Sequence, residues 1–422
     1  MKRQSPRFGL TTHDGERPNG LPYAVDAACN PSAMTKTTLF AACLMLLCAA
    51  PLQALSAPEK DADPVEAMIG QMILAGFPGQ RPQDLGVAAA REQLAQGLIG
   101  GVVLYPENIR SPEQLKTLTV YLREARSAPQ PFIAVDQEGG IVQRLSPLNG
   151  HKAYPSAQSV GKNPSFAEPE AARALYADLA RELAEAGFNF NLGPVVDLEL
   201  NPDNPVIAAR KRSFSADART VTMLARAFIL AHREANIATV AKHFPGHGSS
   251  KVDSHKGLAD VTETWRNVEL EPYRLLAKDG LLDAVMLGHL YHPGFSDGGK
   301  LPASLSAKAV RFLRGRKIGF DGVVVSDDLE MLGVAEDYSL DERLVKAINS
   351  GTDIVLVANV ESQDPELGRK VHAIIADAVR DGRISRARIE QAHKRIIQLK
   401  RRLAEKSLAE GTGVMAAEAG IQ

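Results

Sequence analysis

Short apolar, β-branched runs alternate with helical patterns along most of the chain. The runs fall at 72–76 (MILAG), 100–104 (GGVVL), 132–136 (FIAVD), 189–196 (NFNLGPVV), 238–242 (ATVAK), 283–288 (DAVMLG), 322–326 (GVVVS) and 353–357 (DIVLV). Amphipathic stretches at 112–126, 168–187, 216–235, 264–279, 306–315 and 340–350 separate them. Strands buried on both faces read as continuous apolar runs, and their alternation with helices implies a parallel sheet. Eight such runs in about 330 residues predict an α/β fold, a single (β/α)8 TIM-type barrel. The rival is a doubly wound open sheet, which would carry a Gly-rich phosphate turn after its first strand; Gly76-Phe77-Pro78-Gly79 does not match one. No repeat and no Pro/Gly/Ser-rich linker interrupts residues 60–400. A strongly basic amphipathic helix is expected at about 386–404, and the small, polar segment 406–422 is expected to be a disordered tail.

The N-terminal residues follow a different logic. Met34-Thr35-Lys36 precedes an apolar run at 39–47 that extends through Cys48-Ala49-Ala50. Ala54-Leu55-Ser56-Ala57 then places small residues at cleavage positions. Residues 34–57 therefore read as a signal peptide, residues 58–405 as the barrel, and the patternless residues 1–33 as an over-called start. An uncleaved N-terminal anchor in the membrane is the alternative, but the run is shorter than the about 20 apolar residues a span needs. Lipid attachment is disfavoured, because Leu47 precedes Cys48 and Cys43 would leave too short an apolar segment. The expectation is an exported, periplasmic protein with no stable membrane span after cleavage. Cys29, Cys43 and Cys48 all lie upstream of the cut, so the mature chain would have no disulfide, thiolate metal site or Cys nucleophile. A formal charge of -1 gives no electrostatic reason for a nucleic-acid partner.

In a barrel, chemistry gathers at the C-terminal ends of the strands. The third run ends in Asp136-Gln137-Glu138-Gly139-Gly140, with Arg144 beyond it. Asp197 follows the fourth run, and Arg212 lies further along that loop. The fifth ends in Lys242-His243-Phe244-Pro245-Gly246-His247-Gly248, the sixth in His289, the seventh in Asp327-Asp328; Asn359 follows the eighth. Loop polarity alone accounts poorly for six strands ending this way. Asp136 is read as a ligand-binding residue, Arg144 and Arg212 as binders of anions or hydroxyls, and Glu138 as loop support. His289 and His292 lean towards structural roles. Asp328 either orients Asp327 or caps a helix. Asp253 and His255 form an Asp-x-His pair in a Gly/Ser-rich loop, where a carboxylate fixes the imidazole tautomer and favours general acid/base chemistry. His243, His247, Asp253 and His255 could supply metal ligands, but Pro245-Gly246 breaks the helical spacing of the two histidines, so no metal is expected.

Seven segments together resemble glycoside hydrolase family 3, in its β-N-acetylglucosaminidase branch. They are IGQMILAGFPG (69–79), GGVVLYPENIRSPEQL (100–115), IAVDQEGGIVQR (133–144), KRSFS (211–215), AKHFPGHG (241–248), DSH (253–255) and SDDLEM (326–331). The resemblance spans about residues 64–400, and KHFPGHG followed by DSH is its most specific part. It implies Asp327 as nucleophile, His255 with Asp253 as acid/base, and Asp136, Arg144, Arg212, Lys242 and His243 as the sugar-binding set. It implies a retaining hydrolase that releases terminal, non-reducing β-N-acetylglucosamine from peptidoglycan fragments or chitooligosaccharides. No cofactor is implied, the only partner is the carbohydrate, and a monomer is expected. A His acid/base departs from the usual two-carboxylate arrangement. Ile141 stands where a basic residue is frequent, Ser215 where Gly is, and Ser249-Ser250 where Asp-Thr is. The alternatives are a β-glucosidase or phosphorylase on the same barrel, or a non-catalytic binder of wall fragments.

Overall fold

The computed structural model describes residues 64–419, with side chains as far as residue 406. The segments read as signal peptide and over-called start lie outside the described residues. Eight parallel strands close into a barrel: β1 (Ile73–Ala75), β2 (Gly101–Leu104), β3 (Phe132–Val135), β4 (Phe190–Asn191), β5 (Ala238–Phe244), β6 (Ala284–Leu287), β7 (Val323–Asp328) and β8 (Ile354–Val357). Each strand pairs with its neighbours in sequence, and β8 closes on β1 through Ile73↔Val355 and Ala75↔Val357. Every apolar run of the sequence supplies one strand. Their residues are buried on both faces, which is why the runs do not alternate.

Helices cover the outside, and their ends are set by local chemistry. Ser111 caps Pro112–Arg123, accepting from Gln114 N at 3.2 Å, and Asp217 caps Ala218–Glu234, accepting from Thr220 N at 2.8 Å. Gly187 ends Pro169–Ala186 at φ 96°, a left-handed turn that glycine takes without steric cost. The expected helix over 264–279 is split into a 3-10 turn, Asn267–Leu270, and a helix, Glu271–Lys278. Pro272 sits in the first turn of the latter, where its missing N–H costs nothing. Leu85–Gln96 and Leu367–Arg380 complete the alternation. No helix among the described residues is long and apolar enough to cross a membrane.

The closing helix, Arg386–Ala419, runs past its expected end near 404 into the segment expected to be disordered, which is rich in the helix formers Ala and Glu. Its basic residues reach the barrel's N-terminal face. Arg388 and Arg395 bind Asp353, and Arg402 Nη1 meets Asp283 Oδ1 at 2.7 Å. Both carboxylates are fully buried. The strongly basic pattern of this helix is therefore a set of pairings that close one end of the barrel.

Candidate active site

At the C-terminal ends of the strands lies a cavity of about 790 Å³. Asp136, Arg144, Arg212, Lys242, His243, His255 and Asp327 all line it. Of the eight site residues expected from sequence, only Asp253 does not; it stands behind His255.

Asp136 and Glu138 follow β3 and form the acidic side of a charged cluster. Lys242 Nζ, from β5, bridges them at 2.7 Å from Asp136 Oδ1 and 2.8 Å from Glu138 Oε1. Arg144 Nη2 reaches Asp136 Oδ2 at 3.2 Å. Arg212 grips Glu138 with two bonds, Nη2 to Oε1 at 2.8 Å and Nε to Oε2 at 2.9 Å. Burial works against the charges of Asp136, Glu138, Arg212 and Lys242, but their opposite charges outweigh it. Both carboxyls lie below the ordinary carboxylate range, and Lys242 lies above its ordinary value. Glu138, expected as loop support, is here the anion between Arg212 and Lys242.

His243 is held by Asp197, which follows β4. Its Nδ1 donates to Asp197 Oδ2 at 2.7 Å, since a carboxylate only accepts, so Nε2 is turned the other way, 3.4 Å from Arg212 Nη2. Asp197 also accepts the His247 backbone N–H at 2.7 Å and is fully buried. Sequence reasoning placed Asp197 at a strand end but left it out of the site. The available signal was its position, the same one that marked Asp136 and Asp327.

The segment after β5 carries Asp253 and His255. Asp253 is buried, and its Oδ1 accepts from both the backbone N (3.0 Å) and Nδ1 (2.7 Å) of His255. The His255 ring is 57% exposed, so its partner fixes the tautomer and leaves Nε2 open to the cavity. Asn204 Nδ2 donates to His247 O at 2.7 Å, Asn201 Nδ2 to Ser250 O at 2.8 Å, and Gly333 N to Ser254 O at 3.1 Å. Ser249 Oγ donates to the buried Glu269 at 2.7 Å. His247 Nε2 lies 3.1 Å from Ser254 Oγ.

Asp327 and Asp328 end β7 and differ sharply. Asp328 is pinned inward, its Oδ1 accepting from Ala358 N at 2.9 Å and Glu330 N at 3.1 Å, and burial pushes its carboxyl up to about 7. Asp327 takes one short-range bond, from Asp328 N to Oδ1 at 2.9 Å. Burial raises its pKa, but His289, His243 and His255 together outweigh burial and hold it below the ordinary carboxylate range. His289 is fixed between Ser304 Oγ and the Asp328 carbonyl, each at 2.7 Å, which agrees with a structural role. Near neutral pH Asp327 therefore offers an ionised carboxylate to the cavity, while Asp328 beside it is close to the midpoint of its titration. Among the described residues no cluster of three His, Cys, Asp or Glu is arranged to hold a metal ion.

The Glycosyl hydrolase family 3 N terminal domain model matches residues 65–399. The chain is 34% identical over 309 residues to the Beta-hexosaminidase of Hydrogenovibrio crunogenus, covering 72% of this chain and 82% of that one. It is 31% identical to Beta-hexosaminidase A of Pseudoalteromonas piscicida, covering 73% of this chain and 54% of the relative, so it spans about half that protein's length. A solved glycoside hydrolase family 3 beta-N-acetylglucosaminidase from Paenibacillus sp. superposes with a TM-score of 0.72 at 33% identity, covering 81% of this chain and 63% of that one.

Proposed function

The chain belongs to glycosyl hydrolase family 3, and we propose that it is a retaining β-N-acetylhexosaminidase. The observation that carries this reading is that Asp327 and His255 face one cavity whose other wall is the charged cluster of Asp136, Arg144, Arg212, Lys242 and His243. A terminal β-N-acetylglucosamine would seat against that cluster, its hydroxyls and acetamide meeting fixed donors and acceptors. Asp327, ionised and with Oδ2 making no hydrogen bond among the described residues, would attack the anomeric carbon and form a glycosyl-Asp ester. His255 would donate its Nε2 proton to the departing oxygen, then take a proton from the water that cleaves the ester, while Asp253 holds the ring through Nδ1. Two displacements at one carbon return the original configuration. Peptidoglycan fragments or chitooligosaccharides are the natural substrates this reading favours. The export signal read at 34–57 would place the reaction outside the cytoplasm, in a periplasm.

The test is turnover of p-nitrophenyl β-N-acetylglucosaminide beside the β-glucoside, with and without phosphate, by the native protein and by Asp327→Ala. Release from the acetamido substrate without phosphate, abolished in the variant, is the expected result. Cleavage of the glucoside alone, or only with phosphate, would move the protein to another reaction on this barrel. Fragment binding without any turnover would make it a binding protein.

A further inference from the structure

Five cations line the cavity, and four of them are committed. Arg144 pairs with Asp136, Arg212 with Glu138, Lys242 with both carboxylates, and Arg343 donates to the Leu329 carbonyl. Arg210 is the exception: it is exposed and makes no ion pair or hydrogen bond among the described residues. Its backbone, by contrast, is fixed. Ala209 N donates to Asn204 O at 2.9 Å, Lys211 N to Ala208 O at 2.9 Å, and Gln158 N to Lys211 O at 3.2 Å, with Lys211 at φ 56°.

The position of Arg210 relates it to the leaving group. Asn204, in the same loop, is bonded to the His247 and Gly248 carbonyls, and Asn201 to that of Ser250, so the loop after β4 is tied to the segment that carries His255. Arg210 and His255 line the same cavity, and against burial the charge of Arg210 adds a last, small part to the His255 bonds that hold the Asp253 carboxyl below its ordinary value. Whatever oxygen His255 protonates, the departing group must pass this side of the mouth. The same side carries Leu332, 47% exposed, next to the Gly333 N–H that binds Ser254 O. The exposed carboxylates that line the cavity, Glu107 and Glu361, stand after β2 and β8, away from this loop in the strand order; Glu336, exposed beside Gly257, does not line it.

We propose that Arg210 is a specificity-determining residue that recognises an anionic substituent, a carboxylate, on the leaving group. This rests on the hydrolase reading above. A preorganised backbone with an uncommitted guanidinium suits charge-assisted, forked binding of a carboxylate. Leu332 supplies apolar contact for the carbon skeleton that carries it.

The experiment compares two N-acetylglucosaminides with the same C4 linkage: the aldonic acid of N,N'-diacetylchitobiose and the corresponding alditol, which differ by one carboxylate. Sugar release is measured at low and at high salt for the native protein, Arg210→Ala and Arg210→Lys. The expected result is that the acid-to-alditol ratio of kcat/KM falls about tenfold in Arg210→Ala. It falls less in Arg210→Lys, and high salt erodes the native preference. An unchanged ratio overturns the proposal, whether both substrates lose rate together, which would put Arg210 in the positioning of Asp253, or neither does. If the native protein cleaves neither substrate, the hydrolase reading fails. The inference is then decided by calorimetric Kd values for the same two ligands, where the same tenfold loss of preference in Arg210→Ala supports it and equal affinities overturn it.

Discussion

Two adjacent carboxyls at the end of β7 differ because their surroundings differ. Both are desolvated, but Asp328 lies beside the carboxylates of Glu330 and Asp327, which push it up further against the N–H bonds it receives, while Asp327 sits among three imidazoles. A carboxyl whose pKa is raised in the folded protein binds a proton that the unfolded chain has already released. Asp328 does so from the ordinary value near 4 up to about 7, so over that window folding stability falls as pH rises, by at most about 1.4 kcal/mol per pH unit. Above about 7 both states are ionised and the loss is constant. Asp328→Asn removes the titration while keeping Oδ1 to accept from Ala358 and Glu330. Melting curves recorded from pH 4 to pH 8 are expected to converge at the acid end, with the variant gaining on the native protein through the window. Parallel curves across the range would mean that Asp328 is ionised throughout.

At the scale of the element, the segment from His247 to His255 has little regular structure, and its shape comes from what it is tied to. Asn204 is central. Fully buried, it donates to the His247 and Gly248 carbonyls and accepts from Val206 N at 2.9 Å and Ile207 N at 2.7 Å. Asn204→Ala leaves the Val206 and Ile207 N–H groups without partners and the His247 and Gly248 carbonyls with only Ser250 N and Asn201 N, and is expected to cost about 3 kcal/mol, read by denaturant unfolding. Because His255 would lose its placement, kcat is expected to fall about tenfold or more in the same variant. Lost stability with unchanged kcat would show that the segment holds its catalytic geometry without Asn204. The barrel strands were legible in the sequence because a parallel strand buried on both faces is a continuous apolar run. The strand-end residues Asp136, Lys242 and Asp327 were legible because barrel chemistry collects there. The roles of Asn204 and Asp197 were not, since their importance lies in which carbonyls and N–H groups the fold brings to them. The freedom of Arg210 was equally hidden: five cavity cations look alike in sequence, and only their partners separate them.

Across the whole molecule the two ends of the barrel do different work. The mouth holds polar groups poised for a ligand, and the opposite face holds ion pairs that lock the closing helix to the strand starts. Asp353 precedes β8 and accepts from Arg314 Nη2 at 2.8 Å, Val324 N at 3.0 Å and Arg388, with Arg395 at 3.6 Å. Its side chain is fully buried, and Arg388 is 11% exposed. Removing one partner of such a cluster leaves guanidinium charge buried without compensation, which costs about 3–5 kcal/mol, far more than loss of an exposed pair. Asp353→Ala is therefore expected to lower the unfolding midpoint strongly. The fraction that remains folded should keep the native kcat, since no residue of this cluster lines the cavity. If kcat fell while stability held, the division between a stabilising face and a chemical face would be wrong for this barrel. If both held, the charge would be drawing enough water at the helix end to make the pairs dispensable, and the closing helix would owe its place to Ile389, Ala392 and Ile396, its buried apolar stripe.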